Sequence, residues 1–157
     1  MTISIASRLR IRQRATFLCE YCHSSEEASA SLFTLDHIVP QSFDGDDSED
    51  NLALACHRCN GRRYNFTEGI DSQTNTLVPL FNPRKDRWFE HFIWSTDGYN
   101  IFGITPIGRA TIDRLVRVAS PKENLNDDFH DDSSIQRARR LWTRGGWHPP
   151  ADDPQLL

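Results

Sequence analysis

Apolar positions in this chain come in short bursts between charged or turn-forming stretches, and the spacing inside each burst predicts its element. Ile5, Leu9 and Ile11 recur among four arginines over residues 5–15, which predicts a short basic helix. Residues 32–35 (LFTL) and 51–55 (NLALA) read as two short strands, with a loop between them marked by Pro40 and the acidic run 44–50. Residues 60–66 (NGRRYNF) read as a helix, weakened by Gly61. Two β-type runs, 88–94 and 99–104, flank Asp97-Gly98, a strong hairpin signal. Thr105-Pro106 then offers an N-cap with proline at the first helical position, and Ile107, Ile112, Leu115, Val116 and Ala119 form the stripe of the helix that follows. Residues 121–134 read as a polar, acidic loop and 135–142 as a last short helix stopped by Gly145-Gly146. Residues 148–157 read as a frayed tail. Phe81, Trp88, Phe89, Phe92, Trp94, Tyr99 and Phe102 are expected to build the second part of the core.

Composition adds bounds to this pattern. The 157 residues make one domain of ordinary size, and a hydrophobic fraction of 38% supports an apolar core without disulfides. No apolar run approaches the roughly 18 residues that span a bilayer, and the charged N-terminus lacks a secretory h-region. The expectation is a soluble, cytoplasmic chain with no membrane partner. A net charge of −4 does not advertise nucleic-acid binding, but it conceals segregation. Residues 1–23 hold four arginines and one glutamate, whereas 24–50 hold eight carboxylates and no lysine or arginine. Residues 51–117 are basic again, including the cluster Arg84, Lys85 and Arg87. Together with Arg8, Arg10, Arg12 and Arg14, that cluster could touch a phosphate backbone or form a solvated face.

All four cysteines fall in two C-x-x-C pairs, Cys19/Cys22 and Cys56/Cys59. In a reducing compartment such pairs point to metal ligation rather than disulfides. Four thiolates close a tetrahedral Zn²⁺ site with no open position, so the site is structural and not catalytic. His23 and His57 adjoin the pairs and could replace a cysteine, but a complete Cys₄ set makes them dispensable. The long gap between the pairs means that something is inserted in the zinc frame.

The insert carries Asp36-His37-Ile38-Val39-Pro40-Gln41-Ser42-Phe43, then Asn51, then Asn60 after the second pair. On these residues the segment 19–66 resembles the HNH nuclease family, in the variant with asparagine at the third position found in the HNH domain of RNA-guided CRISPR nucleases. The resemblance implies an α+β chain with a ββα-metal (His-Me finger) module braced by structural Cys₄ zinc. A C-terminal β-hairpin and helix would extend it. It implies that Asn51 holds the loop and helps orient His37, and it puts Asn60 at the head of the helix.

The chemistry of these side chains agrees with that expectation. Phosphodiester hydrolysis needs a nucleophilic water, stabilisation of added negative charge, and help for a departing 3′ oxygen. Mg²⁺ or Mn²⁺ takes oxygen ligands and keeps several waters, so the carboxylate of Asp36 and the amide of Asn60 suffice as protein donors. An imidazole, whose reference pKa is near ~6.5, can take a proton from water near neutral pH, and His37 supplies one. Arg62 and Arg63 follow Asn60 and are expected to contact phosphates flanking the cut. The acidic loop 44–50 reads as solvated. His91, His130 and His148 lie outside this frame and receive no chemistry.

The chain thus divides into a basic N-terminal helix (1–18), a zinc-braced nuclease module (19–70), a hairpin and helix packed on it (71–120) and an acidic, partly helical tail (121–157). The expected activity is metal-dependent hydrolysis of double-stranded DNA, leaving 5′-phosphate and 3′-hydroxyl ends. With one module per chain, cutting both strands requires a homodimer or two successive nicks. The alternatives are a zinc-stabilised nucleic-acid-binding module without catalysis, and the same chemistry directed at RNA.

Overall fold

The computed structural model describes residues 2–115 and 128–157, with side chains of 128–134 left out of the description. Helix α1 (Ile5–Arg14) is capped by Ser4, whose hydroxyl accepts from the Ser7 N–H. It buries Ile11 and turns most of its arginines back onto the protein. Arg10 pairs with Glu49 at 2.5 Å, Arg12 with Glu26 at 3.0 Å, and Arg14 donates to the Glu49 and Leu52 carbonyls. The acidic insert is therefore the counter-charge of this basic helix, and these three arginines brace the fold instead of presenting a free basic face.

Strands β1 (Thr34–His37) and β2 (Leu52–Ala55) pair antiparallel, with Asp36 opposite Ala53 and His37 opposite Leu52. β1 starts two residues later than the apolar burst suggests and includes the Asp-His pair. β2 is buried throughout. Helix α2 (His57–Arg63) begins at the second cysteine pair, because the Cys56 sulfur caps it by accepting the Cys59 N–H. Asn60 consequently sits mid-helix, not at its head.

A second hairpin, β3 (Glu68–Asp71) with β4 (Thr76–Pro79), was not evident from the sequence. Its side chains are mostly exposed, so no apolar alternation marks it. It is anchored instead by Asp71, which is fully buried and accepts two bonds from Arg109 and one from the Thr74 hydroxyl. The third hairpin is shorter than the aromatic run implied. Residues Trp88–His91 form a helical turn, α3, that leads into β5 (Phe92–Trp94), and β5 pairs with β6 (Ile101–Gly103). The helical turn buries Trp88 but turns Phe89 out, and Tyr99 and Phe102 are half-buried. The loop between β5 and β6 places Gly98 at φ 76°, where a Cβ would be strained.

Helix α4 (Pro106–Leu115) packs on β3 and β6 and touches α2. The expected continuation of its stripe through Val116 and Ala119 lies outside the described residues. Helix α5 (Asp128–Arg144) is longer than expected and covers 128–134, which the sequence read as loop; 121–127 lie outside the description. The terminal residues are also more ordered than a frayed tail. Trp94 donates to the Pro154 carbonyl, Leu156 donates back to Trp94, and the Asp153 carboxylate accepts from the Trp94 indole. One apolar core runs through Ile11, Leu52, Leu54, Trp88, Phe92, Trp94, Ile112 and Leu115, so the extension is continuous with the cysteine-bearing segment. No helix among the described residues is long and apolar enough to cross a membrane.

Candidate active site and zinc centre

The two C-x-x-C turns meet. The ligand atoms of Cys19, Cys22, Cys56 and Cys59 all lie within 4.8 Å of one another, and all four residues are buried. The Cys22 and Cys56 sulfurs are 3.7 Å apart, far beyond a disulfide bond. Tetrahedral zinc with Zn–S bonds of about 2.3 Å requires sulfur separations of about 3.8 Å, so the set fits Zn²⁺. Hydrogen bonds led by that from Cys19 pull the Cys22 thiol well below its ordinary value. Burial pushes Cys19 well up, and the bond with Cys19 does the same to Cys59. Four thiolates so close together need a dication to coexist. Neither adjacent histidine joins the cluster: His23 stacks on Trp88 at 4.1 Å and bonds Asp153, and His57 bonds the Leu32 carbonyl.

The end of β1, the loop that follows it, and α2 with the residues just beyond it line a cleft of about 290 Å³. Its lining includes Asp36, His37, Gln41, Asn60 and Tyr64. Three of the four residues expected to act on substrate or its support therefore share one cavity. Asp36 is buried at the end of β1, and its Oδ2 accepts from the Tyr21 hydroxyl at 2.6 Å and from Arg63 at 2.9 Å. Among the described residues Oδ1 has no hydrogen-bond donor. Burial pushes the Asp36 carboxyl above the usual range, against the pull of Arg63 and the Tyr21 hydroxyl. A cation in the cleft would favour its ionised form. One carboxylate oxygen and the Asn60 amide, facing a cavity with room for water, are the donor set that Mg²⁺ or Mn²⁺ accepts.

Asn51, the fourth residue, lies outside the cleft lining and supports the loop instead. Its Oδ1 accepts from the Val39 N–H at 2.8 Å, while its Nδ2 donates to the Val39 and Asp46 carbonyls. Arg63 is 3% exposed, and its guanidinium donates to Asp36, the His37 carbonyl and the Ile38 carbonyl. Its place is beneath the strand end; a phosphate contact would require it to leave three buried acceptors. Arg62 is half-buried and donates to the Leu115 carbonyl of α4.

One further residue meets the site from the acidic loop. Asp47 of the acidic loop lies 2.7 Å from His37 Nε2. That hydrogen bond holds the Asp47 carboxyl below its ordinary range. A run rich in carboxylates gives no sequence signal for which of them turns back onto the histidine.

Residues 19–66 match the family model described as HNH endonuclease. The chain is also 27% identical, over 112 residues, to a protein of Corynebacterium diphtheriae described as CRISPR-associated endonuclease Cas9. That alignment covers 71% of this chain and 10% of the relative, so the chain spans about a tenth of that protein's length. No solved structure matches. The cleft, the cysteine cluster and the match to the HNH endonuclease model coincide on residues 19–66.

Proposed function

We propose that this chain is a metal-dependent DNA endonuclease whose 34–63 segment works as a ββα-metal site, with the cysteine cluster holding structural zinc. The observation that carries this reading is the shared cleft of Asp36, His37 and Asn60. Asp36 and Asn60 would hold Mg²⁺ or Mn²⁺, which supplies Lewis-acid stabilisation of the phosphate and the leaving oxygen. His37 takes a proton from the attacking water as the water oxygen bonds to phosphorus. The bond from phosphorus to the 3′ oxygen breaks and that oxygen takes a proton from solvent water, leaving 5′-phosphate and 3′-hydroxyl ends. Asn51 keeps the loop in register with the histidine. Arg62 would contact a flanking phosphate on giving up its bond to the Leu115 carbonyl, and Arg63 supports Asp36 from below.

Double-stranded DNA is the proposed substrate, cut one strand at a time by a protomer or on both strands by a homodimer. The cytoplasm is its proposed location, since a reducing compartment keeps the four thiols available to zinc. The test is nicking of supercoiled plasmid with added Mg²⁺ or Mn²⁺, followed by sequencing of the ends and a parallel assay on matched RNA. His37→Ala should abolish cutting while zinc content and melting temperature persist. Equal activity in wild type and variant would refute the mechanism. DNA retention in gels without cleavage of any DNA or RNA form would make the chain a binding module.

A further inference from the structure

We propose that Asp47 is the positioning residue of the general base. It holds the His37 imidazole through Nε2, fixing ring orientation and tautomer so that bare Nδ1 is the proton-accepting atom. This inference rests on the nuclease reading above for its consequence, though not for its geometry. A carboxylate only accepts hydrogen bonds, so the 2.7 Å contact between Asp47 Oδ1 and His37 Nε2 puts the imidazole proton on Nε2. A neutral imidazole has one N–H, and Nδ1 is then left with its lone pair. Among the described residues Nδ1 makes no hydrogen bond with the protein, so nothing competes with a water molecule for it. Gln41 Nε2 donates to the same Asp47 oxygen at 3.2 Å, steadying the carboxylate from the other side.

The loop that carries Asp47 is tied down independently of that contact. Asn51 spans it with bonds to Val39 and Asp46, and the Gly45 N–H donates to the Pro40 carbonyl at 3.0 Å. The Asp46 carboxylate accepts from both the N–H and the hydroxyl of Ser48. Gly45 packs so closely that a Cβ there would stand 1.7 Å from the Val39 oxygen. Asp47 is thus delivered to the histidine by a braced turn, with the two side chains only 24% and 21% exposed. Without it, the ring could rotate about χ2 and place its proton on either nitrogen, and only part of the population would present an acceptor to water.

The test uses long-range ¹H–¹⁵N correlation spectra of the zinc-loaded full chain, at a pH where the ring is neutral, with His37→Ala assigning the signals. The expected result is the Nε2–H tautomer in wild type and a mixed population in Asp47→Ala. An Nδ1–H tautomer in wild type, or an unchanged tautomer in Asp47→Ala, would overturn the proposal. In plasmid cleavage Asp47→Ala should lower kcat by about tenfold or more with KM unchanged, the scale of loss when the hydrogen-bond partner of a metal-bound histidine is removed. Asp47→Asn, which keeps an acceptor oxygen, should recover part of it. Asp44→Asn removes the same charge from the same loop and should leave kcat unchanged; an equal loss there would overturn the specific role. If wild type cuts nothing, the nuclease reading fails, and the spectra still decide the tautomer.

Discussion

Replacing Arg63 with methionine tests how the site is held from beneath. Arg63 is 3% exposed, and its guanidinium is the cation against which the buried Asp36 carboxylate rests. The same group caps the carbonyls of His37 and Ile38, the two residues on either side of the strand's exit into the loop. Methionine fills much of the volume but supplies no charge or donor. Breaking one side of a buried ion pair costs about 3–5 kcal/mol, because the remaining charge stays desolvated. Domains of this kind are stable by about 5–15 kcal/mol, so the variant should lose a large share of its stability. With a urea m-value of about 2 kcal/mol/M, the unfolding midpoint should fall by about 2 M. Asp36→Asn in the same background removes the stranded charge. The double variant should therefore lose about 1–3 kcal/mol less than the two single losses combined. Urea denaturation followed by tryptophan fluorescence reads all four proteins. A loss below about 1 kcal/mol for Arg63→Met, or simple additivity in the cycle, would refute the claim that Arg63 exists to neutralise Asp36.

Two other perturbations probe the frame. Cys59→Ser should lower bound zinc, measured by elemental analysis, and collapse the cooperative thermal transition, since zinc modules draw on the order of 10 kcal/mol from the metal. Retention of full zinc and an unchanged transition would exclude Cys59 as a ligand. Arg109, paired with fully buried Asp71, holds that carboxyl well below its ordinary range. A depressed acid contributes stability that is present above the unfolded value of about 3.9 and lost as pH falls through the folded one. Arg109→Leu should consequently move the acid-unfolding midpoint, followed by circular dichroism, to higher pH. An unmoved midpoint would show that the pair does not govern acid stability.

How much of this was legible beforehand depends on whether a residue's role is local. Helix α1, strand β2 and the hairpin across Asp97-Gly98 are written in short-range pattern, and the sequence located them. Hairpin β3–β4 has no such pattern, because what fixes it is an ion pair between Asp71 and Arg109, 38 positions apart. The start of α2 is not legible in the sequence, because its cap is a cysteine sulfur, a role that depends on the knuckle geometry. The same distinction runs through the site. Asp36, His37 and Asn60 were named from motif and chemistry, and they line one cleft. Arg63 reads from sequence as a phosphate contact, because an arginine beside a site suggests an anion. Its actual acceptors come from β1 and the residue after it, 25–27 positions earlier. Asp47 was hidden among like carboxylates, and only the fold of the loop distinguishes it from its neighbours.

The position of the cysteine cluster has a further consequence for the order in which the site can exist. Cys22 and Cys56 are 34 positions apart, and the strand, loop and strand bearing Asp36, His37, Asp47 and Asn51 all lie on that span. Bringing its ends together costs a loop-closure entropy of about 3 kcal/mol, before any of its internal bonds can form cooperatively. Metal capture by the second pair offsets that cost in one step. On a growing chain the segment that bears the candidate site therefore stays an open loop until Cys56 and Cys59 have been made and have found the first pair. On the proposed function, zinc supply would then set when the His37 site becomes available, ahead of any substrate.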